Sequence, residues 1–195
     1  EVHHRIKNTL QGLIFMLRQF AQNHPEMNEP INLVIGQVQS VSVIHGIQGR
    51  SAGSSVPLCE LTAAIAREIQ SLWQTPVIID IPADWKPCLI AEKETVPIAM
   101  ILNELILNAV KHGGKAHGHV SVMLRGDEQS DAVRVTICNS GRLRSNIDRP
   151  TELHSGLRLV DSLMPGSGAR LSREQQGDQV MTYLEMMAPV VFPGS

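Results

Sequence analysis

Aromatic residues make up only 3% of the 195-residue chain, so its core must be built from Leu, Ile, Val, Ala and Met. At 43% hydrophobic residues, such a core can form. Charge of one sign is also lacking: the formal net charge is −2, which gives no electrostatic case for nucleic acid as the main partner. There are only three cysteines, Cys59, Cys88 and Cys138. They are far apart and follow no metal-ligand spacing, so they read as reduced, structural thiols of a cytoplasmic protein. No apolar run approaches the roughly 18 residues of a membrane span, and no signal peptide is recognisable. The chain begins without Met on a charged motif, as expected of a fragment whose upstream part, a sensor, has been removed.

Residues 1–23 read as a helix. Ile6, Leu10, Leu13, Leu17 and Phe20 fall at a 4-3-4-3 spacing, the seam of a helix packed against others. Asn23, His24 and Pro25 end it. A second helix is expected from about Pro30 to Gln48, with Ile31, Val34, Val38 and Val41 as its seam. Two helices on a short loop form a hairpin. One hairpin buries little, so dimerisation into a four-helix bundle is expected. The Gly-rich stretch from Gly49 to Ser55 reads as a linker. The domain division is then a hairpin over residues 1–50 and a second domain over residues 56–195.

The second part mixes periods. Helices are expected over residues 58–73, over Glu94 to His112 and near Leu157 to Leu163. Alternation predicts strands at Val77, Ile79 and Ile81, at Val120, Val122 and Leu124, at Val133, Val135 and Ile137, and from Val180 to Met186. The polar turn from Gly126 to Asp131 joins two of them as a hairpin. The fold class is α+β: a helical hairpin followed by a two-layer α/β sandwich. There is no internal repeat.

Within the first helix, His3 shares the apolar seam with Ile6 and Leu10, while His4 is rotated off it. Lys7 and Asn8 follow His4 at i+3 and i+4 on the same face. A neutral imidazole there could attack phosphorus, with Lys7 and Arg5 stabilising the transferred charge. In the long helix, Ile98, Leu102, Leu105 and Ala109 share a face that should pack on the sheet, and Glu104, Asn108, Lys111 and His112 fall together on another. An Asn oxygen suits Mg²⁺, and Lys and His can reach phosphates. Helical spacing alone would equally describe a solvated polar face.

Four strings together resemble the sensor histidine kinases of the HHRxKN type. EVHHRIKNTLQ is similar to their phospho-acceptor box, and VIHGIQGRS to the His motif closing their second helix. VPIAMILNELILNAVKHG resembles their N-box and HSGLRLVDSL their glycine-rich G-box. The resemblance spans the chain in order and spacing. It implies a Bergerat-type ATP-binding domain with ATP and Mg²⁺ as ligands, His4 as phospho-acceptor, a homodimer and a response-regulator receiver domain as partner. It implies catalytic roles for His4, Lys7 and Glu104. Asn108 would hold the metal, and Asn108, Lys111, His112, Asn139, Gly141, Gly156 and Leu157 would hold the nucleotide. The general base is open between Glu1 and Glu104, and His45 is expected to be structural. A chaperone or topoisomerase domain of the same fold does not carry the HHRIKN hairpin.

The adenine box departs from the family's DxGxG pattern, with Asn139 in place of the Asp and Leu143 in place of the second Gly. An Asn oxygen still accepts a hydrogen bond, but without charge assistance affinity falls roughly tenfold. His154 replaces the first glycine of the G-box, while Gly156 keeps the second. Two functions therefore stand: an ATP-dependent histidine kinase, or a degenerate phosphotransfer or docking protein that keeps His4 but binds no ATP.

Overall fold

A computed structural model describes residues 2–48, 55–113, 119–127, 131–143 and 154–194, without the side chains of His3, His4, Glu29, His154 and Ser155. Helix α1 runs Val2–Asn23, and a 3-10 turn over Pro25–Met27 leads into α2, Asn28–Gln48. Helix α2 thus starts two residues before the expected Pro30. Most of the stretch read as a linker lies outside the described residues.

The hairpin corrects the expected seams. Ile14, Ala21, Ile31 and Ile35 are the buried contacts between α1 and α2, with Leu17 and Val38 packed beside them. Leu13, Phe20 and Val34, all placed on the seams, are exposed. The α1 sequence carries two apolar stripes side by side. The stripe that includes Ile14 and Ala21 closes the hairpin, and Leu13, Met16 and Phe20 remain at the surface. Helix α2 is covered on more than one side, by α1 and by α3 and α4. Its C-terminal Ile44 and Ile47 are buried in the core of the second part of the chain.

That second part is an α+β two-layer arrangement. Strands β1 (Val56–Pro57), β3 (Cys88–Ile90) and β8 (Val191–Pro193) form a small antiparallel sheet. The main sheet has five strands in the order β2-β4-β5-β7-β6: Val77–Asp80, Val120–Gly126, Val133–Ser140, Gln179–Met186 and Ala169–Gln176. Strands β2 and β4 run parallel, and the other pairs antiparallel. Helices α3 (Leu58–Trp73), α4 (Glu92–Gly113) and α5 (His154–Leu163) complete it.

Helix α3 buries Leu58, Leu61, Ile65 and Ile69 at helical spacing and ends at Gln74, whose φ of 51° is left-handed. The Gln70 side chain then accepts from the Val77 amide at 2.9 Å, tying the helix to the start of β2. Helix α4 has Glu92 and Glu94 in its first turn and Lys111 and His112 in its last, both favourable to the helix dipole. Residues 101–107 are all buried, because α4 is covered by α2, α3 and α5 as well as by β5. Strand β6 was not expected. Its sequence ARLSREQQ is polar and it is an edge strand, so neither hydrophobic alternation nor a buried run marks it.

Candidate functional site

The residues of α4 that share a polar face meet the ends of β5 and α5 around one cavity of about 570 Å³. Glu104, Asn108, Lys111 and His112 line it from α4. Asn139 and Gly141 line it from the end of β5, and Gly156 and Leu157 from α5. All the residues expected to hold a nucleotide thus reach one wall system, although they come from three separate stretches of sequence.

Glu104 is a buried carboxyl in the cavity wall. It is only 3% exposed, and its Oε1 has no hydrogen-bond partner among the described residues. Burial raises its carboxyl above the ordinary 4.5, opposed by the Lys111 charge and the Asn103 amide. Two glycines from other helices make room for it. A Cβ on Gly156 of α5 would stand 2.8 Å from Glu104 Oε2. A Cβ on Gly36 of α2 would stand 2.8 Å from Asn103 Nδ2 and 3.6 Å from Glu104 Oε1. The Lys111 ammonium lies 5.7 Å from the ring centroid of Trp73, a cation–π contact at the edge of the cavity.

Asn139 is buried, and its Nδ2 donates to the Ser140 carbonyl at 3.0 Å. One of its two N–H donors is used there, so the amide oxygen and the second N–H remain to meet a ligand. The close of α4 demands a glycine: a Cβ on Gly113 would be 2.6 Å from Asn139 Cβ and 2.9 Å from the Ser140 carbonyl oxygen. Gly141 takes a φ of 148°, which also favours glycine.

Several lining residues were not singled out from the sequence. Thr182 and Val180 come from β7, Arg173 from β6, and Arg142 follows Gly141, beside the Leu143 already noted in the adenine box. Leu33 comes from α2 of the hairpin. Strand alternation marks Val180 and Thr182 as one face of β7, but only the register shows which face meets Asn139.

Residues 1–73 match the histidine kinase family HisKA_2. The chain is 23% identical over 194 residues to blue-light-activated histidine kinase 2 of Erythrobacter litoralis, covering 95% of this chain and 56% of that one. By sequence it is similar to the sensor histidine kinases of the HHRxKN type. The fold agrees. The histidine kinase domain of Erythrobacter litoralis EL346 superposes with a TM-score of 0.62 at 22% identity, over 95% of this chain and 91% of that one. Full-length ShkA in complex with AMPPNP superposes at 0.57 with 16% identity, over 100% of this chain and 46% of that one. The chain spans little more than half the length of its curated Erythrobacter relative.

Within this histidine kinase frame, His4 and Lys7 stand apart from the cavity. Helices α1 and α2 are joined by the short turn at Pro25–Met27 and pack against each other, so they run antiparallel. The turn of α1 holding His4 is therefore level with the end of α2, near Gln48, whereas Leu33 is at the cavity. At 1.5 Å per helical residue these levels are roughly 20 Å apart. Lys7 is exposed on α1. Among the described residues, no group of three His, Cys, Asp or Glu side chains could hold a metal ion by itself. Glu1 lies outside the described residues.

Proposed function

We propose that the chain is an ATP-dependent protein-histidine kinase core, phosphorylated on His4 and passing the phosphoryl group to an aspartate of a response-regulator receiver domain. The division is a dimerisation and phosphotransfer hairpin over residues 1–50 and an ATP-binding domain over residues 56–195. The observation that carries this reading is the convergence of Glu104, Asn108, Lys111, His112, Asn139, Gly141, Gly156 and Leu157 on one cavity. Its mixed polar and glycine-lined wall suits a nucleotide, and the AMPPNP complex of the ShkA neighbour supports it. Asn139 would accept the adenine amino hydrogen bond, Gly141, Gly156 and Leu157 would border the nucleotide, and Lys111 and His112 would meet phosphates.

The donor set also fits Mg²⁺. A hard cation held by one or two protein oxygens and completed by substrate phosphates needs no cage of its own. Asn108 Oδ1 would supply the protein oxygen, from the same cavity wall as Glu104, whose Oε1 is unpartnered. Mg²⁺ there would neutralise charge on the phosphates. The His4 imidazole forms the new N–P bond as the bond to the ADP oxygen breaks, and its remaining ring proton passes to a base, Glu104 or Glu1. Lys7 steadies the charge beside His4. A homodimer through the exposed stripe of α1 completes the four-helix bundle, and the setting is cytoplasmic. No helix of the described residues is long and apolar enough to cross a membrane.

The departures at Asn139, Leu143 and His154 favour a second reading, a phosphotransfer or docking protein that binds no ATP. Calorimetry of ATP with Mg²⁺ separates the two. Under the kinase reading ATP binds and labels the chain with an acid-labile, base-stable phosphoryl group, His4→Gln abolishes the label, and His3→Gln retains it. No binding at millimolar ATP, with His4 still labelled by a phosphorylated regulator, would establish the second reading instead.

A further inference from the structure

The register of β6 on β7 pairs Gln175 with Val180 and Arg173 with Thr182. Val180, Thr182 and Arg173 all line the cavity, and Gln175, itself exposed, shares the row of Arg173 on its strand, with Glu174 and Gln176 on the other face. Its carboxamide is saturated. Nε2 donates to the carbonyls of Gly141 at 2.9 Å, Gly177 at 2.8 Å and Gln179 at 3.1 Å. Oε1 accepts from the Leu143 amide at 2.7 Å. Three acceptors at one end and one donor at the other fix which way the amide is turned. A backbone bond from the Gly141 amide to the Asp178 carbonyl, 2.8 Å, adds to the same seam.

The segment that is clamped is the one that leaves Asn139. Gly141, Arg142 and Leu143 all border the cavity. Their sequence no longer carries the family's second glycine, and this segment is held to the β6–β7 turn by the Gly141 backbone bond and by the side chain of Gln175. Glutamine suits this because it alone among side chains of that length offers two donors and an acceptor at its tip.

We propose that Gln175 is a positioning residue for nucleotide binding: it clamps residues 141–143 to the β6–β7 turn and thereby holds Asn139 and Gly141 in place at the base end of the cavity. The proposal rests on the nucleotide reading above. Gln175 acts through the segment it holds and touches neither the phosphates nor His4.

Two variants test it in the whole chain. Gln175→Ala removes four hydrogen bonds from a site that orders the ligand, and is expected to raise the Kd and KM for ATP about tenfold while kcat stays within about twofold. Gln175→Glu keeps the acceptor for Leu143 but sets a carboxylate against three carbonyl oxygens. It is expected to weaken ATP binding more than Gln175→Ala does, although it is closer in shape. In both variants the Leu143 amide should exchange with solvent faster than in the wild type, with ATP absent, and labelling of His4 by a phosphorylated regulator should be unchanged. ATP binding unaltered in both variants, where the wild type binds, would overturn the proposal and leave the nucleotide reading intact. A smaller loss in Gln175→Glu than in Gln175→Ala, or an unchanged Leu143 exchange rate, would also overturn it. If the wild type binds no ATP at all, the nucleotide reading falls and the proposal falls with it.

Discussion

Gly36 is where the hairpin closes on the second part of the chain, and replacing it with alanine should open that contact. On α2 the substitution gains roughly 1 kcal/mol of helix propensity. That gain is present whether or not α2 rests on α4, so it does not alter the balance between the two states. The added Cβ acts only in the docked state, where it would stand 2.8 Å from the Nδ2 of buried Asn103. Asn103 must move, and Glu104 Oε1, 3.6 Å away, limits where it can go. Overpacking of a filled contact costs about 1–3 kcal/mol, which corresponds to a shift of roughly five- to hundredfold toward the undocked state. Gly36→Leu should shift it further. Because the described arrangement leaves the His4 turn and the cavity at different levels of the hairpin, undocking should raise the rate at which His4 is labelled from ATP. X-ray scattering should show a larger radius of gyration, and amides of α4 near Asn103 should lose protection. Unchanged scattering, exchange and labelling in both variants would refute the reasoning, because the missing side chain at position 36 would then not be what admits α2.

Three further outcomes are expected. The Glu104 carboxyl is raised by burial, so the folded state holds its proton longer than the unfolded chain. Its contribution to stability is complete below about 4.5, the ordinary value, and is lost as pH rises through the higher folded value. Melting curves of the wild type should therefore fall relative to Glu104→Gln across that window, and parallel curves would contradict the buried-carboxyl account. Asn139→Asp should tighten ATP by about tenfold or less, by restoring a charged acceptor, with calorimetry as the measure and no change as the adverse result. Phe20→Glu and Met16→Glu should convert the proposed homodimer to monomer in light scattering without unfolding the hairpin, since both side chains are exposed. Val38→Lys is a poorer probe, because Val38 packs within the hairpin and its loss would unsettle the protomer itself.

What could be read from the sequence depended on whether the determining contacts were local. Helix α3 was legible to its ends because its apolar spacing and its closing residues lie within a single stretch. Helix α4 was legible for the same reason, and its polar face already grouped Glu104, Asn108, Lys111 and His112. The α1 period was equally clear, yet it gave the wrong buried face. Periodicity reports that a stripe exists, and two adjacent stripes leave the partner to decide between them. In α2 the covering of several faces, by α1 on one side and by α3 and α4 on others, left no single polar face to orient it. Strand β6 escaped because an edge strand needs only half its backbone paired and little of its surface buried. The glycines show the limit most clearly. Gly141 and Gly156 stood in recognisable boxes, but Gly36 and Gly113 are required by Asn103, Glu104 and Asn139, which approach from other elements. The same holds for Thr182 and Arg173, which reach the cavity, and for Gln175, which meets Gly141 and Leu143, all through strand register. Residues proposed to perform chemistry were legible where they fell within motifs, whereas those that hold the motifs together came into view only with the pairing of β5, β7 and β6.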